Sequence, residues 1–238
     1  MKTITTENLS RHFGNIKAVD EVSLSAESGE ILGIIGANGA GKTTLIKILC
    51  GLLKPSSGTA RVAGFDVKTE PGKIKQKIGY MGQSFSLFED LTVLENIRFY
   101  GTLYGMSRKE IRERSSELMK NLHIQEQAGK LVRELPSGWK QSLAFSTALL
   151  HRPELVFLDE PTSGLDSLSR RELWNQIYLT AGTGTTLVVS THYLDEAAYC
   201  HRLAVMDKGR IKTEGTPEAM RRLAGEGNLI HLFTQDKT

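Results

Sequence analysis

"ILGIIGANGAGKTTLIKILCGLL", residues 31–53, is the stretch on which the fold turns. Ile31–Ile35 reads as a short apolar strand and the residues from Thr44 onward as a helix, so the glycine-rich Gly36–Thr43 is a strand-to-helix turn. Those eight residues, GANGAGKT, fit the pattern G-x-x-x-x-G-K-[ST] in the context where that pattern carries a mechanism. Gly36, Gly39 and Gly41 let the backbone wrap a phosphate chain with its N–H groups, and the following helix points its positive end, equivalent to roughly half a charge, at the anion. Lys42 is placed to reach the β and γ phosphates, and the Thr43 hydroxyl to ligate Mg²⁺. Asn38, Ala40 and Thr44 complete the candidate cradle.

Outward from this turn, the first third of the chain holds β-rich runs punctuated by glycine: TITTENL, VSLSAESG, ILGIIG, TARVAG and KIGYMG. From about Thr92 to His151 helical periodicity takes over. Two capping boxes open helices there, Thr92 with Glu95 and Ser107 with Glu110, each pairing a cap hydroxyl with an acid three residues on. In SRKEIRERSSELMK the spacing puts Ile111, Leu118 and Leu122 on a buried side and the charges on a solvated face. Strands return in LVFLDE, TTLVVST and RLAVMD, alternating with a helix from about Ser169 whose Leu173, Trp174, Ile177, Tyr178 and Ala181 follow the 3.6 period. Alternation of this kind makes βαβ units and a parallel sheet. The expected organisation is an α/β core interrupted by an all-helical insertion. LVFLDEP then reads as a buried strand that delivers Asp159 and Glu160 at its C-terminal end, where open α/β sheets bind ligands. Asp159 suits the shell of a Mg²⁺ ion, and Glu160 suits a general base that polarises the attacking water.

Composition narrows the class. With 238 residues the chain can bury a substantial core, and 39% hydrophobic with 24% charged residues is ordinary for a soluble globular protein. A net charge of +3 argues against a dedicated nucleic-acid binder, which would carry a strong basic stripe. Cys50 and Cys200 are too few and too far apart for a disulfide framework or a zinc site, so both are expected in the core of a protein in a reduced, cytoplasmic setting. The first twenty residues lack the apolar core of a secretory signal, and no window approaches the roughly 20 apolar residues that cross a bilayer.

In order, the phosphate loop, LDEP, SGLD directly after it and STH at the end of the next strand resemble the ATP-binding cassette (ABC) ATPases. The resemblance covers residues 3–225. It implies a P-loop NTPase core with a mainly parallel sheet, an N-terminal antiparallel β subdomain and an all-helical insertion at about 84–152, leaving 226–238 as a C-terminal tail. It also implies ATP and Mg²⁺ as ligands and ATP hydrolysis as the activity. Phe13, in RHFGNIKAVD, stands where the family places an aromatic that stacks on adenine, a contact worth about 1 to 3 kcal/mol. Gln83 matches the glutamine that approaches Mg²⁺ and the water while hinging the insertion. His192, in STHYLDEA, matches the histidine of the γ-phosphate, and Asp166, in SGLD, the loop that crosses to a partner subunit.

ELPSGWKQ, residues 134–141, stands where the family carries a motif of the type L-S-G-G-Q, which contacts the γ-phosphate of an ATP held by the other subunit. Pro136 occupies the serine place and offers neither a hydroxyl nor an N–H. Either Ser137 supplies the hydroxyl one residue late, or the helix N-terminus with Gly138 carries the anion alone, or the stretch is a helix cap with no ATP contact. The resemblance implies a subunit that works with a second ABC ATPase, identical or not, and with a separate multi-spanning permease, at the cytoplasmic face of the membrane and with a lean to export. Phe85, Leu87 and Phe88 are either a docking surface for that permease or buried residues of the insertion. The rival reading is a soluble ABC-type ATPase acting on nucleic acid or ribosomes. Against it stand the balanced charge and the single cassette, and no nucleic-acid partner is expected.

Overall fold

The computed structural model describes residues 2–83 and 87–223. The expected tail, 226–238, and Phe85 lie outside the described residues. The chain opens with a long β1 (Lys2–Phe13) that turns through Gly14, at φ 56, into β2 (Ile16–Val22), so that Phe13 faces Ile16 across the hairpin end. After β3 (Ser25–Glu27) comes β4 (Ile31–Ile35), then α1 (Lys42–Leu49), β5 (Ser57–Val62) and β6 (Phe65–Asp66). β1, β2, β3, β5 and β6 form the antiparallel N-terminal sheet. A short α2 (Pro71–Lys77) leads into β7 (Ile78–Met81). Among the described residues the α-helices before the next strand are α3 (Val93–Leu103), α4 (Arg108–Asn121) and α5 (Ser137–Ala148). The core resumes with β8 (Leu155–Asp159), α6 (Ser167–Gly182), β9 (Thr186–Thr191), β10 (Arg202–Asp207), β11 (Arg210–Gly215) and α7 (Pro217–Leu223).

The second sheet runs β11-β10-β4-β9-β8-β7, parallel throughout except for the β10–β11 pair. Its central strands β4, β8 and β9 are buried at every position because both faces are covered. Alternate residues go to different cores: Ile31, Ile35, Val156, Leu158, Leu187 and Val189 pack towards α3, α5 and α6, whereas Leu32, Ile34, Leu155, Phe157 and Val188 pack around α1 and against the N-terminal sheet. A one-residue slip would exchange these sets, so register is held by two cores at once. The fold class matches the expectation.

Both capping boxes are present: Thr92 Oγ1 accepts from Glu95 N–H at 3.2 Å, and Ser107 Oγ from Glu110 N–H at 3.3 Å. Ile111 and Leu118 are buried and Leu122 is half-buried. Cys50 and Cys200 are free thiols in the core, each pushed up by burial, Cys200 to about 12. Several details differ from the sequence reading. β2, α2 and β11 have no clear signal in the sequence, because β2 carries Lys17, Asp20 and Glu21, α2 buries only Ile74, and β11 is a polar edge strand; tertiary pairing decides all three. VSLSAESG yields only the three residues of β3, since Val22 ends β2. Helix α6 starts at Ser167 because the Asp166 carboxylate accepts from Leu168 N–H and Ser169 N–H, both at 3.0 Å. Tyr178, expected on the buried side of α6, is 39% exposed. Leu87 is a core residue at 6% exposure, while its neighbour Phe88 is 47% exposed, so only Phe88 of that pair remains a surface candidate.

Candidate active site

The C-terminal ends of β4, β8 and β9 meet at the N-terminus of α1. Gly41, the cap of α1, has φ 106, and a Cβ there would fall 2.1 Å from Ala18 O; one on Gly36 would fall 2.2 Å from Met206 O. Only glycine fits either place. The turn so formed walls a cleft of about 460 Å³, lined by Asn38, Gly39, Gly41, Lys42, Thr43 and Thr44 together with Gln83, Glu160 and Lys208. Gly36 and Ala40 do not line the cleft, and Ala40 is buried behind it. Lys42, only 4% exposed, donates from Nζ to Gly36 O at 2.8 Å and Ala37 O at 3.1 Å.

Asp159 is fully buried. Its Oδ1 accepts from Ser190 Oγ at 2.7 Å and from Thr43 Oγ1 at 3.1 Å, while Oδ2 is buried with no partner among the described residues. A buried carboxylate oxygen without a donor calls for a cation. The same unmet charge, after burial itself, helps push the Tyr80 phenol well above its ordinary range. An orphaned oxygen beside a threonine hydroxyl fits Mg²⁺, which takes one or two protein oxygens and completes its shell with water and phosphate. Among the described residues no group of three or more His, Cys, Asp or Glu forms a cage that would hold a metal by itself.

Glu160 takes a left-handed backbone, φ 51, rare for a residue with a side chain. Its N–H is held by Ser190 O at 3.1 Å and Ser190 Oγ at 3.0 Å, which aims the side chain into the cleft. There Oε1 lies 3.2 Å from Lys42 Nζ, and Oε2 accepts from Gln83 Nε2 at 3.0 Å. His192 Nδ1 is 3.2 Å from the same Oε2, close enough for an ion pair although not aligned as a hydrogen bond. Lys42, Gln83, Asp159, Glu160 and His192, from four separated segments, thus converge.

The remaining candidates sit elsewhere. Phe13 is 46% exposed, with the Arg11 guanidinium 4.6 Å from its ring centroid, and is no core residue. Its hairpin partner Ile16 is 69% exposed and lines the cleft, so apolar surface flanks the phosphate end. Ser137 is exposed and is the first residue of α5; the cap, Pro136, makes no side-chain hydrogen bond. Gly138 abuts α6, since a Cβ there would sit 2.5 Å from Ser169 Oγ. Asp166 is spent on capping α6, and the N–H and hydroxyl of Ser169 hold its carboxyl below the usual range. None of Ser137, Gly138 and Asp166 lines the phosphate cleft. Ser190 and Ile16 were missed by sequence reasoning. The signal for Ser190 is a hydroxyl at the end of β9 in register with Asp159; Ile16 has none beyond its nearness to Phe13.

The sequence model of the ABC transporter family matches residues 19–163. DrrA, the daunorubicin/doxorubicin resistance ATP-binding protein of Streptomyces peucetius, is 38% identical over 236 residues, 99% of this chain and 71% of that protein. This chain belongs to the ABC transporter family. YbhF of Escherichia coli, a probable multidrug ABC transporter ATP-binding protein, is 43% identical over 218 residues, which are 92% of this chain but only 38% of YbhF, so the cassette spans well under half of that relative. Among solved structures, the dimeric post-hydrolysis ATP-binding cassette MJ0796, bound to ADP and Pi, superposes with a TM-score of 0.80 at 27% identity, covering 90% of this chain and 98% of that one. The cassette is therefore an ATP-binding part of an ABC transporter. Among the described residues no helix is long and apolar enough to cross a membrane.

Proposed function

We propose that this cassette hydrolyses Mg²⁺-ATP as one half of a head-to-tail pair, identical or not, and that closure of the pair drives export through a separate multi-spanning permease. The observation that carries the reading is the meeting of Lys42, Gln83 and His192 on Glu160, which lines the phosphate cleft, while Ser137 and Gly138 do not line it. A phosphate chain in the loop offers Lys42 oxygens that compete with Glu160 for its charge, which frees the carboxylate to take a proton from water. Gln83 holds Oε2 by a hydrogen bond and His192 stands beside it, and together they orient that carboxylate. Thr43 Oγ1 and the orphaned Asp159 Oδ2 would hold Mg²⁺. When bound there, the ion neutralises charge on the β and γ oxygens.

The pairing rests on geometry of the same kind. The first N–H groups of α5 have no intrahelical partners and lie beside the exposed Ser137, an anion site with no anion of its own chain. A second cassette turned head to tail would bring its phosphates there. Export is supported by the resistance and multidrug names of the relatives. The permease would dock, from a peripheral position at the cytoplasmic face, on the apolar face of Phe88, Phe99 and Leu103, where Phe88 and Phe99 pack edge-to-face at 4.7 Å and all three are exposed. The test is sedimentation of the Glu160→Gln protein, whose ATP survives. It should pair with ATP and stay single with ADP; a single species under both conditions, with ATP bound, would end the sandwich reading.

A further inference from the structure

Glu196 is fully buried, and neither of its carboxylate oxygens has a hydrogen-bond partner among the described residues. A buried carboxylate is costly unless a cation offsets it, and the cation present is Arg170. Arg170 Nε, itself buried without a hydrogen-bond partner, lies 3.7 Å from Glu196 Oε1, and Nη1 lies 3.4 Å from Asp195 Oδ2. At 3.7 Å the charges attract without fixing a direction. The direction is set by two further contacts: Nη1 donates to Asp195 Oδ2, and Arg170 Cζ sits 4.3 Å from the centroid of Tyr193. That ring is in turn 4.1 Å from the imidazole of His192, tilted by 36°, and His192 faces Glu160. Backwards along the chain, Arg170 N–H donates to Asp166 O at 3.0 Å. Its neighbour Ser169 donates to Asp166 Oδ2 at 2.7 Å and fills the space beside Gly138.

We propose that Arg170 is a positioning residue for hydrolysis: anchored by Glu196 and Asp195, its guanidinium holds Tyr193 against His192 and so fixes His192 relative to Glu160. The inference rests on the roles proposed above for His192 and Glu160, and adds a link from the first turn of α6, beside Gly138, to the hydrolytic end of the same chain. A planar guanidinium can stack and meet two carboxylates at once, which a lysine ammonium does not. Glu196, otherwise an uncompensated buried charge, then has a purpose: it keeps the guanidinium facing inward.

The experiment is single-turnover ATP hydrolysis by the full chain with Arg170→Leu, Arg170→Lys, Tyr193→Leu, Tyr193→Phe and His192→Ala, together with the His192 ring-proton resonances by NMR. Arg170→Leu and Tyr193→Leu should each slow hydrolysis roughly tenfold to a hundredfold, the scale of misplacing a positioned group by about 1 Å, with ATP affinity unchanged. Tyr193→Leu should also leave the melting temperature in place, whereas Arg170→Leu should lower it by leaving Glu196 buried without its cation. Arg170→Lys should not rescue, whereas Tyr193→Phe, which keeps the ring, should match the wild type. Added to His192→Ala, Arg170→Leu should cost nothing more, because the two act in series. The His192 resonances should move in both leucine variants. Should one leucine variant fail to fold, the other carries the same comparison. A His192→Ala protein as fast as wild type would remove the reading of the site itself. If His192→Ala is slow but Arg170→Leu is not, if the two losses add, or if the His192 resonances stay in place, the positioning role is overturned while that reading stands. Should the chain hydrolyse no ATP by itself, the resonances alone decide.

Discussion

The two ends of this cassette that carry glycine-rich turns are built in opposite ways. At the phosphate loop, Lys42, Asp159 and Glu160 are all at most 5% exposed, and each is engaged by side chains from other segments. At Pro136–Ser137–Gly138 the chain is exposed or half-buried, the cap contributes no side-chain bond, and Gly138 abuts Ser169 so closely that a Cβ there would clash with its hydroxyl. Buried polar groups are held by partners because leaving them without one is costly; an exposed helix end carries no such penalty and has water as its default partner. The first arrangement is held by contacts within one chain, and the second is the end that the proposed pairing would fill.

The comparison breaks most readily at Glu160. Replacing it by glutamine should slow hydrolysis by about 10² to 10⁴, the range for losing a general base, while ATP still binds. Near-normal turnover in a single-turnover assay would remove Glu160 from the role and leave the phosphate end as a binding site only.

Next in size is Ser137→Ala. If its hydroxyl meets a partner's γ-phosphate, ATP-driven pairing should weaken roughly tenfold to a hundredfold, the worth of one hydrogen bond to a charged group. Because Ser137 caps nothing in this chain, the melting temperature should not move. A lower melting point with unchanged pairing, read by calorimetry and sedimentation on one sample, would return the stretch to a helix cap. Gly138→Ala is a poorer probe: its Cβ would displace Ser169 Oγ and break the bond to Asp166, mixing fold and interface effects.

Phe13→Ala tests the same contrast at the base end. Phe13 is exposed, so its loss should leave stability alone and weaken ATP binding to the single chain by about 1 to 3 kcal/mol, measured by calorimetric titration. Unchanged affinity would give the base to Ile16 or to no apolar contact.

The smallest effect concerns neither end. His151, stacked at 3.7 Å on Tyr104, the C-cap of α3, and bonded through Nε2 to Ile78 O, ties the end of α3 to the start of β7. Burial depresses its pKa to about 4. The unfolded chain, with an imidazole near 6.5, therefore takes up the proton first, and the stability His151 contributes is full above about pH 6.5 and lost as pH falls towards 4. His151→Phe keeps the stack and removes the titration. The fall in melting temperature from pH 7 to 5 should be smaller in that variant by about 2 to 4 °C, the shift that roughly 1 kcal/mol gives at this chain length once partial exposure is allowed for. Equal falls in both proteins would show that the ring does not report on acid stability.

Much of this was legible in local sequence. The strand–turn–helix of residues 31–53, the two capping boxes and the apolar runs of β8 and β9 are short-range patterns, each fixed by neighbours within a few positions. The family motifs pointed to Lys42, Asp159, Glu160, Gln83 and His192, which the fold brings together. What stayed hidden were elements without a local signal, such as the polar edge strand β11 and the charged β2, whose extended state comes from pairing with β10 and β1.

By itself, the sequence determined that a phosphate-binding turn follows an apolar strand and that two acids end another, because glycine freedom and apolar periodicity are properties of adjacent residues. Only the tertiary structure decided that Ser190 bridges Asp159 to the left-handed Glu160, that Asp159 Oδ2 is left without a donor, and that Arg170 leans on Tyr193 beside His192. Those contacts join residues 20 or more positions apart. Their geometry follows from sheet register and helix packing, which no window of sequence contains.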